Sequence, residues 1–138
     1  MSESRRIVMV HALEVAAGVR TEDLSRLFTE NVSAWSPNII AASLEELQDA
    51  FDDRNEALGN LAVVITGVDV IDNKAFAEWV MEADHVGPLV IDDVRVEPTG
   101  QRLQLGGATI AEFEGHRIRA FRTYFDTLGL LEQMTDAG

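Results

Sequence analysis

Lys74-Ala75-Phe76-Ala77-Glu78-Trp79-Val80-Met81-Glu82-Ala83-Asp84-His85 repeats with a period of two. In an extended chain Glu78, Glu82 and Asp84 share one face, while Ala77, Trp79, Met81, Ala83 and His85 share the other. The second set must point at helices or into a cavity. A strand with one wet and one dry side decides how its neighbours are read.

Working outward, Leu61–Asp72, Arg102–Glu114 and Arg117–Phe125 also read as strands, and Val90–Glu97 reads as a short strand or a loop. Asp72-Asn73 and Glu114-Gly115 suit tight turns, and Pro98-Thr99-Gly100 a looser one. Links this short make consecutive strands antiparallel. Gly67 and Gly106-Gly107 fall inside strands, where glycine marks a bulge or bend that curls a sheet.

Ahead of these strands the pattern is helical. Arg5–Ala17 is a dense apolar stretch ending at Gly18, and Thr21 with Glu22 and Asp23 opens a short second helix through Leu24, Leu27 and Phe28. Val32–Ser36 is a brief strand closed by Pro37-Asn38. Ser43 and Glu46 then form a capping box. Leu44, Leu47, Phe51 and Leu58 recur at helical spacing until Gly59-Asn60. A final helix is expected over Thr127–Met134. The fold class is α+β: three N-terminal helices packed on a strongly curved antiparallel sheet, a short C-terminal helix, and one domain over residues 1–138.

Composition narrows the function. The chain of 138 residues is 46% hydrophobic, enough to bury roughly two-thirds of its unfolded surface. Without cysteine it has no disulfide, thiolate nucleophile or cysteine-ligated metal. A net charge of −13 repels nucleic acid and anionic membranes, and no apolar run spans a bilayer. A cytoplasmic protein is expected, with neither nucleic acid nor membrane as partner. His11, His85 and His116 show no metal-ligand spacing, and no glycine-rich phosphate motif is present, so neither metal nor cofactor is expected.

Leu27-Phe28-Thr29-Glu30-Asn31, Ala83-Asp84-His85-Val86-Gly87-Pro88, Phe113-Glu114-Gly115-His116-Arg117-Ile118 and Tyr124-Phe125-Asp126 followed by Leu131-Glu132-Gln133 stand in an order that resembles the SnoaL-like polyketide cyclase group of the nuclear transport factor 2-like superfamily. The resemblance runs nearly end to end. It implies a cystatin-like cone and a pocket for a small apolar molecule. It further implies a cofactor-independent acid/base cyclase or isomerase acting on an apolar carbonyl compound, such as a polyketide, steroid or terpenoid. The alternative is a non-catalytic ligand-binding or dimerisation module of the same fold.

In the cyclases this chain resembles, an aspartate ending the last strand is the acid/base, and Asp126 matches it. The histidine that accompanies it has no match. Against the ketosteroid isomerases of the same fold, Ser36 stands in place of the base, His11 in place of the oxyanion tyrosine, and Thr109 near the second oxyanion acid.

The candidate catalytic set is therefore Asp126, His11, His85 and Tyr124, with Trp35, Asn38, Phe51, Trp79, Met81, Thr109 and Arg122 lining the pocket. Each has a plainer reading. Asp126 equally suits the N-cap of the last helix, His11 a core or interface contact, and His85 a turn. Arg122 and Tyr124 share the face of Asp126 on their strand, as helpers or as an ion-pair partner. A homodimer is expected from the resemblance, with Ile110, Phe121 and Phe125 as candidates for its outer-sheet interface.

Overall fold

The structure, a computed structural model, describes residues 2–91 and 93–135. Among these the chain runs α1 (Ser2–Ala16), a 3-10 turn (Leu24–Arg26), β1 (Phe28–Ser36), β2 (Ile39–Ala41), α2 (Leu44–Ala57), β3 (Leu58–Ile71) and β4 (Lys74–His85). It continues through β5 (Leu89–Ile91), β6 (Val94–Val96), β7 (Arg102–Glu114), β8 (Arg117–Phe125) and α3 (Thr127–Thr135). No helix among the described residues is long and apolar enough to cross a membrane.

Six strands form one sheet in the order β2-β1-β8-β7-β4-β3. Its hairpins turn at Asp72, with φ 54°, and at Gly115, with φ 66°, and the strands flanking them fall where the period-two pattern puts them. The sheet is mixed rather than antiparallel, because β1 runs parallel to β8. Short links dictate only the pairing of consecutive strands, and β1 meets β8 through most of the chain. Val90–Glu97 is a separate two-stranded ribbon, β5 against β6. Asp92, inside it, lies outside the described residues.

The expected second helix is a single 3-10 turn, so the arrangement of three N-terminal helices does not hold. Its cap is Asp23, whose Oδ1 accepts from the Ser25 N–H at 3.0 Å. Three residues cannot propagate a helix, and Phe28 gains more as a strand residue, fully buried with its ring edge-on to Phe121 at 5.4 Å. α2 does begin at Ser43, whose Oγ accepts from the Glu46 N–H at 3.1 Å. The Glu46 carboxylate reaches back to the Ala42 N–H at 3.0 Å. Gly59 and Asn60 do not stop this helix. It passes directly into β3 at Leu58, and Asn60 takes φ 50° beside a bulge within that strand.

A second bulge lies between Ile65 and Gly67, and a third separates Glu112 from Phe113, so curvature enters at the sheet's edge and near the β7–β8 turn. Gly106-Gly107 is not a bulge; its register with β4 is continuous. Gly107 is required for another reason. A Cβ there would lie 2.4 Å from Trp79 Cζ2, whereas one on Gly106 would meet nothing within 4 Å.

The concave face and α1 and α2 bury the core between them, with Met9, Ala12 and Leu13 of α1 and Leu47 and Phe51 of α2 facing the sheet. Arg5 and Arg6 tether α1 to the sheet, donating to the Asp72 and Val68 carbonyls at 2.6 Å each.

Gly107→Ala is expected to destabilise the protein by about 1–3 kcal/mol through overpacking against the indole. Gly106→Ala should stay within about 0.5 kcal/mol of the parent. Urea unfolding of both variants checks this, and equal midpoints would contradict the packing account.

Candidate functional site

The concave face is not filled. Between it and the two helices lies a cavity of about 100 Å³, walled mainly by leucine, alanine and phenylalanine side chains. Small residues leave the space: Ala34, Ala83, Thr109 and Thr123 stand where larger side chains would meet the helices.

One hydrogen-bonded chain crosses the wall. Trp79 Nε1 donates to Thr109 Oγ1 at 3.0 Å, and Thr109 Oγ1 lies 2.9 Å from Thr123 Oγ1. The indole can only donate, so Thr109 accepts from it. Two hydroxyls bring two protons and their mutual contact uses one, which leaves one proton for an occupant of the cavity. Ser36 Oγ donates to Asn38 Oδ1 at 2.7 Å, closing the β1–β2 turn, and both residues line the cavity as well.

Asn38, Phe51, Trp79, Met81 and Thr109 are all in the wall, and Trp35 borders it, but the alternation of β1 leaves the Trp35 side chain 41% exposed on the outer side of the sheet. Arg122 is not in the wall. The alternation of β8 sends Phe121, Thr123 and Phe125 inward and Arg122 and Tyr124 to the other side. Arg122 there donates to Glu112 at 2.6 Å and holds that carboxyl below its usual range. Tyr124 is 47% exposed, its ring 5.3 Å from that of Trp35. Phe121 and Phe125 belong to the cavity rather than the outer face, where Ile110 lies opposite Arg122.

Asp126 follows the same parity. It is exposed, outside the cavity lining, and its Oδ1 accepts from the Gly129 N–H at 3.0 Å, as an N-cap of α3 does. His11 is half-buried with Nδ1 3.6 Å from Glu22, linking α1 to the segment before the 3-10 turn.

His85 is 0% exposed but faces the turn after β6. Its Nδ1 accepts from the Thr99 N–H at 3.3 Å and lies 3.1 Å from Thr99 Oγ1. An accepting Nδ1 means a neutral ring protonated on Nε2, which has no hydrogen-bond partner. Burial pushes its pKa below the ordinary value, partly offset by the backbone of Gly87 and Val96.

Most of the wall lies outside the expected lining set, including the polar residues Ser36, Arg54 and Thr123. Thr123 was hidden by the parity of β8, since inward and outward positions there are both mixed in polarity. Arg54 was legible: it falls on the stripe Leu47, Phe51, Arg54, Leu58, at the same helical spacing as its apolar neighbours. It is 7% exposed and lines the cavity, and burial pushes its pKa down to about 10. No cluster of potential metal ligands occurs among the described residues.

A profile of the SnoaL-like polyketide cyclase family matches residues 7–134. Among solved structures the chain is similar to TsrD from Streptomyces laurentii, at 19% identity and a TM-score of 0.81, covering 100% of this chain and 98% of that one. It is also similar to a SnoaL-like polyketide cyclase from Agrobacterium tumefaciens, at 15% identity and TM-score 0.72 over 94% and 96% of the two chains. A third similarity is to an LEH-like epoxide hydrolase from M. tuberculosis, at 12% identity and TM-score 0.71 over 99% and 92%. At these identities the likeness is one of fold. Nothing among curated proteins matches the chain.

The His85 environment has a consequence for pH. Because burial depresses the folded-state pKa, the unfolded chain binds this proton more readily, and the ring's contribution to stability is complete only above the ordinary value of 6.5. It is lost as pH falls from there toward the depressed folded value. His85→Asn, which keeps an acceptor near Nδ1 and cannot titrate, should lose less stability than the parent between about pH 7.5 and about pH 5.5. Denaturant unfolding at both pH values checks this; identical losses would refute it.

Proposed function

The chain belongs to the SnoaL-like polyketide cyclase family, and we propose that it holds a small apolar carbonyl compound in this cavity by a hydrogen bond from the Thr109–Thr123 hydroxyl pair. The observation that carries this reading is the surplus hydroxyl proton in an otherwise apolar wall. A donor in a dry site binds a carbonyl oxygen more strongly than it would in water. Among the described residues no aspartate, glutamate or histidine lines the cavity, which favours binding without acid/base chemistry.

The volume bears on the ligand. A cavity of about 150 Å³ accepts benzene, so one of about 100 Å³ takes a short chain as it stands and a single ring with a small shift of the wall side chains. A steroid or polycyclic polyketide would need side chains to move.

One observation favours the second reading, an acid/base cyclase or isomerase using Asp126. Phe125 and Leu130, on either side of it in the chain, both line the cavity, so release of the cap on Gly129 would bring a carboxylate to the edge of the site. His11, His85 and Tyr124 have partners elsewhere, and nothing in their surroundings supports a shared catalytic role.

The expected homodimer would use the outer sheet face, where Trp35, Val64, Phe76 and Tyr124 are exposed. With a net charge of −13, an apolar strip is where two copies could meet without apposing like charges.

In a Trp35→Phe background, fluorescence of the remaining tryptophan, Trp79, should report binding of cyclohexenone. Replacing both hydroxyls, Thr109→Val together with Thr123→Val, should weaken that binding about tenfold, the value of one hydrogen bond of ~1.4 kcal/mol, and change binding of cyclohexane less, whereas either single replacement keeps one free hydroxyl proton and most of the ketone affinity. The ketone should be recovered intact. Conversion by the parent that Asp126→Asn abolishes would replace binding with acid/base catalysis, and an unaltered ketone affinity when both hydroxyls are removed would reject the hydroxyl contact.

A further inference from the structure

Arg54 sits in the cavity wall at 7% exposure, and among the described residues it is the only buried side chain with a permanent charge. A buried ion is strongly destabilising unless paired. No carboxylate of the described residues lies within ion-pair distance of it. Its bonds go instead to neutral groups: Nε and Nη2 donate to Asn55 Oδ1 at 3.3 and 3.1 Å, and Nη2 donates to the Val15 carbonyl at 3.4 Å. The guanidinium carbon also lies 5.3 Å from the centre of the Phe51 ring, itself a wall residue.

A guanidinium carries five N–H donors in a planar fork. The bonds above engage Nε and Nη2, and among the described residues neither N–H of Nη1 has an acceptor. Burial lowers the pKa only to about 10, so the group remains cationic at neutral pH. The molecule thus keeps an unpaired cation on the inner side of an acidic protein, at the edge of an apolar space.

We propose that the cavity selects an apolar molecule bearing a carboxylate, and that Arg54 is its counter-ion. The inference rests on reading the cavity as a ligand site and adds the charge of the ligand to that reading. A carboxylate supplies the missing ion-pair partner and the acceptors for Nη1, with a fork geometry that an ammonium group would lack. The apolar wall accommodates the remainder, and the volume limits it to about one ring.

The plain alternative is that Arg54 only ties α2 to the C-terminal end of α1 through Val15. The two roles separate in a ratio of affinities, which a tether would not move. Cyclohexanecarboxylate and cyclohexanecarboxamide have nearly the same shape and differ in charge. Calorimetric titration of the unmodified protein at neutral pH should show the carboxylate bound at least tenfold more tightly. Arg54→Met should erase that preference while still binding the carboxamide, and Arg54→Lys should keep part of it.

If the unmodified protein binds the carboxamide as well as the carboxylate or better, the counter-ion role is overturned and the cavity survives as a neutral-ligand site. If Arg54→Met retains the acid preference, the role is likewise overturned. Binding of neither compound overturns this inference together with the proposed function. Should Arg54→Met fail to fold, the comparison on the unmodified protein decides alone.

Discussion

The Trp79 indole lies against Gly107 so closely that a single added carbon would come within 2.4 Å of it, and its N–H ends on Thr109. Much of the interior depends on that contact. It fixes the largest side chain on the dry face of β4, directs the only donor of the ring to a hydroxyl, and so determines which way the Thr109–Thr123 pair can point. A strand residue with any side chain at position 107 would lift the indole toward the helices and into the cavity.

The cavity follows from two departures from close packing that act together. Bulges curl the sheet around the space beneath α1 and α2, and small residues on its concave face leave part of that space unfilled. Ordinary cores close such gaps, because each lost van der Waals contact weakens the fold. Retaining one in a domain with an otherwise continuous core means that its stability is lower than the same topology could reach. The polar equipment of the wall has the same cost: a buried hydroxyl pair with a spare proton and a buried cation with spare donors are both tolerated rather than required by folding.

Legibility followed the range of the interaction. β4, β7 and β8 were readable to the residue because alternation and tight turns are local, and Ser43 announced α2 through a bond to a residue in its own first turn. The parallel pairing of β1 with β8 was not readable, since nothing near Phe28 or Ile118 records a partner so distant in sequence. Face assignment along β8 failed for a related reason. Arg122, Tyr124 and Asp126 were correctly placed on one side, but Thr123 inside and Tyr124 outside give no polarity contrast, and only the sheet's curvature says which side encloses the cavity. Arg54 is the opposite case. Its spacing with Leu47, Phe51 and Leu58 marked a charge on a buried stripe, a signal that a search for acids and histidines passes over.

That asymmetry between acids and bases shapes what the site can do. Nearly all of the chain's acidic excess is on solvated faces, where its field is screened within about 8–10 Å at physiological ionic strength. Among the described residues the one buried permanent charge is positive, and it is far less screened. On the proposed reading, an anionic ligand is disfavoured during approach and favoured after entry, so selection would fall on the bound state, where Arg54 and the hydroxyl pair sit in a largely apolar wall. A neutral ligand meets neither effect. The same partition explains why a carboxylate at Asp126 can remain on the outside as a helix cap without opposing what the interior binds: its charge is satisfied by the Gly129 N–H and surrounded by water, and the wall of the cavity separates it from the cation within.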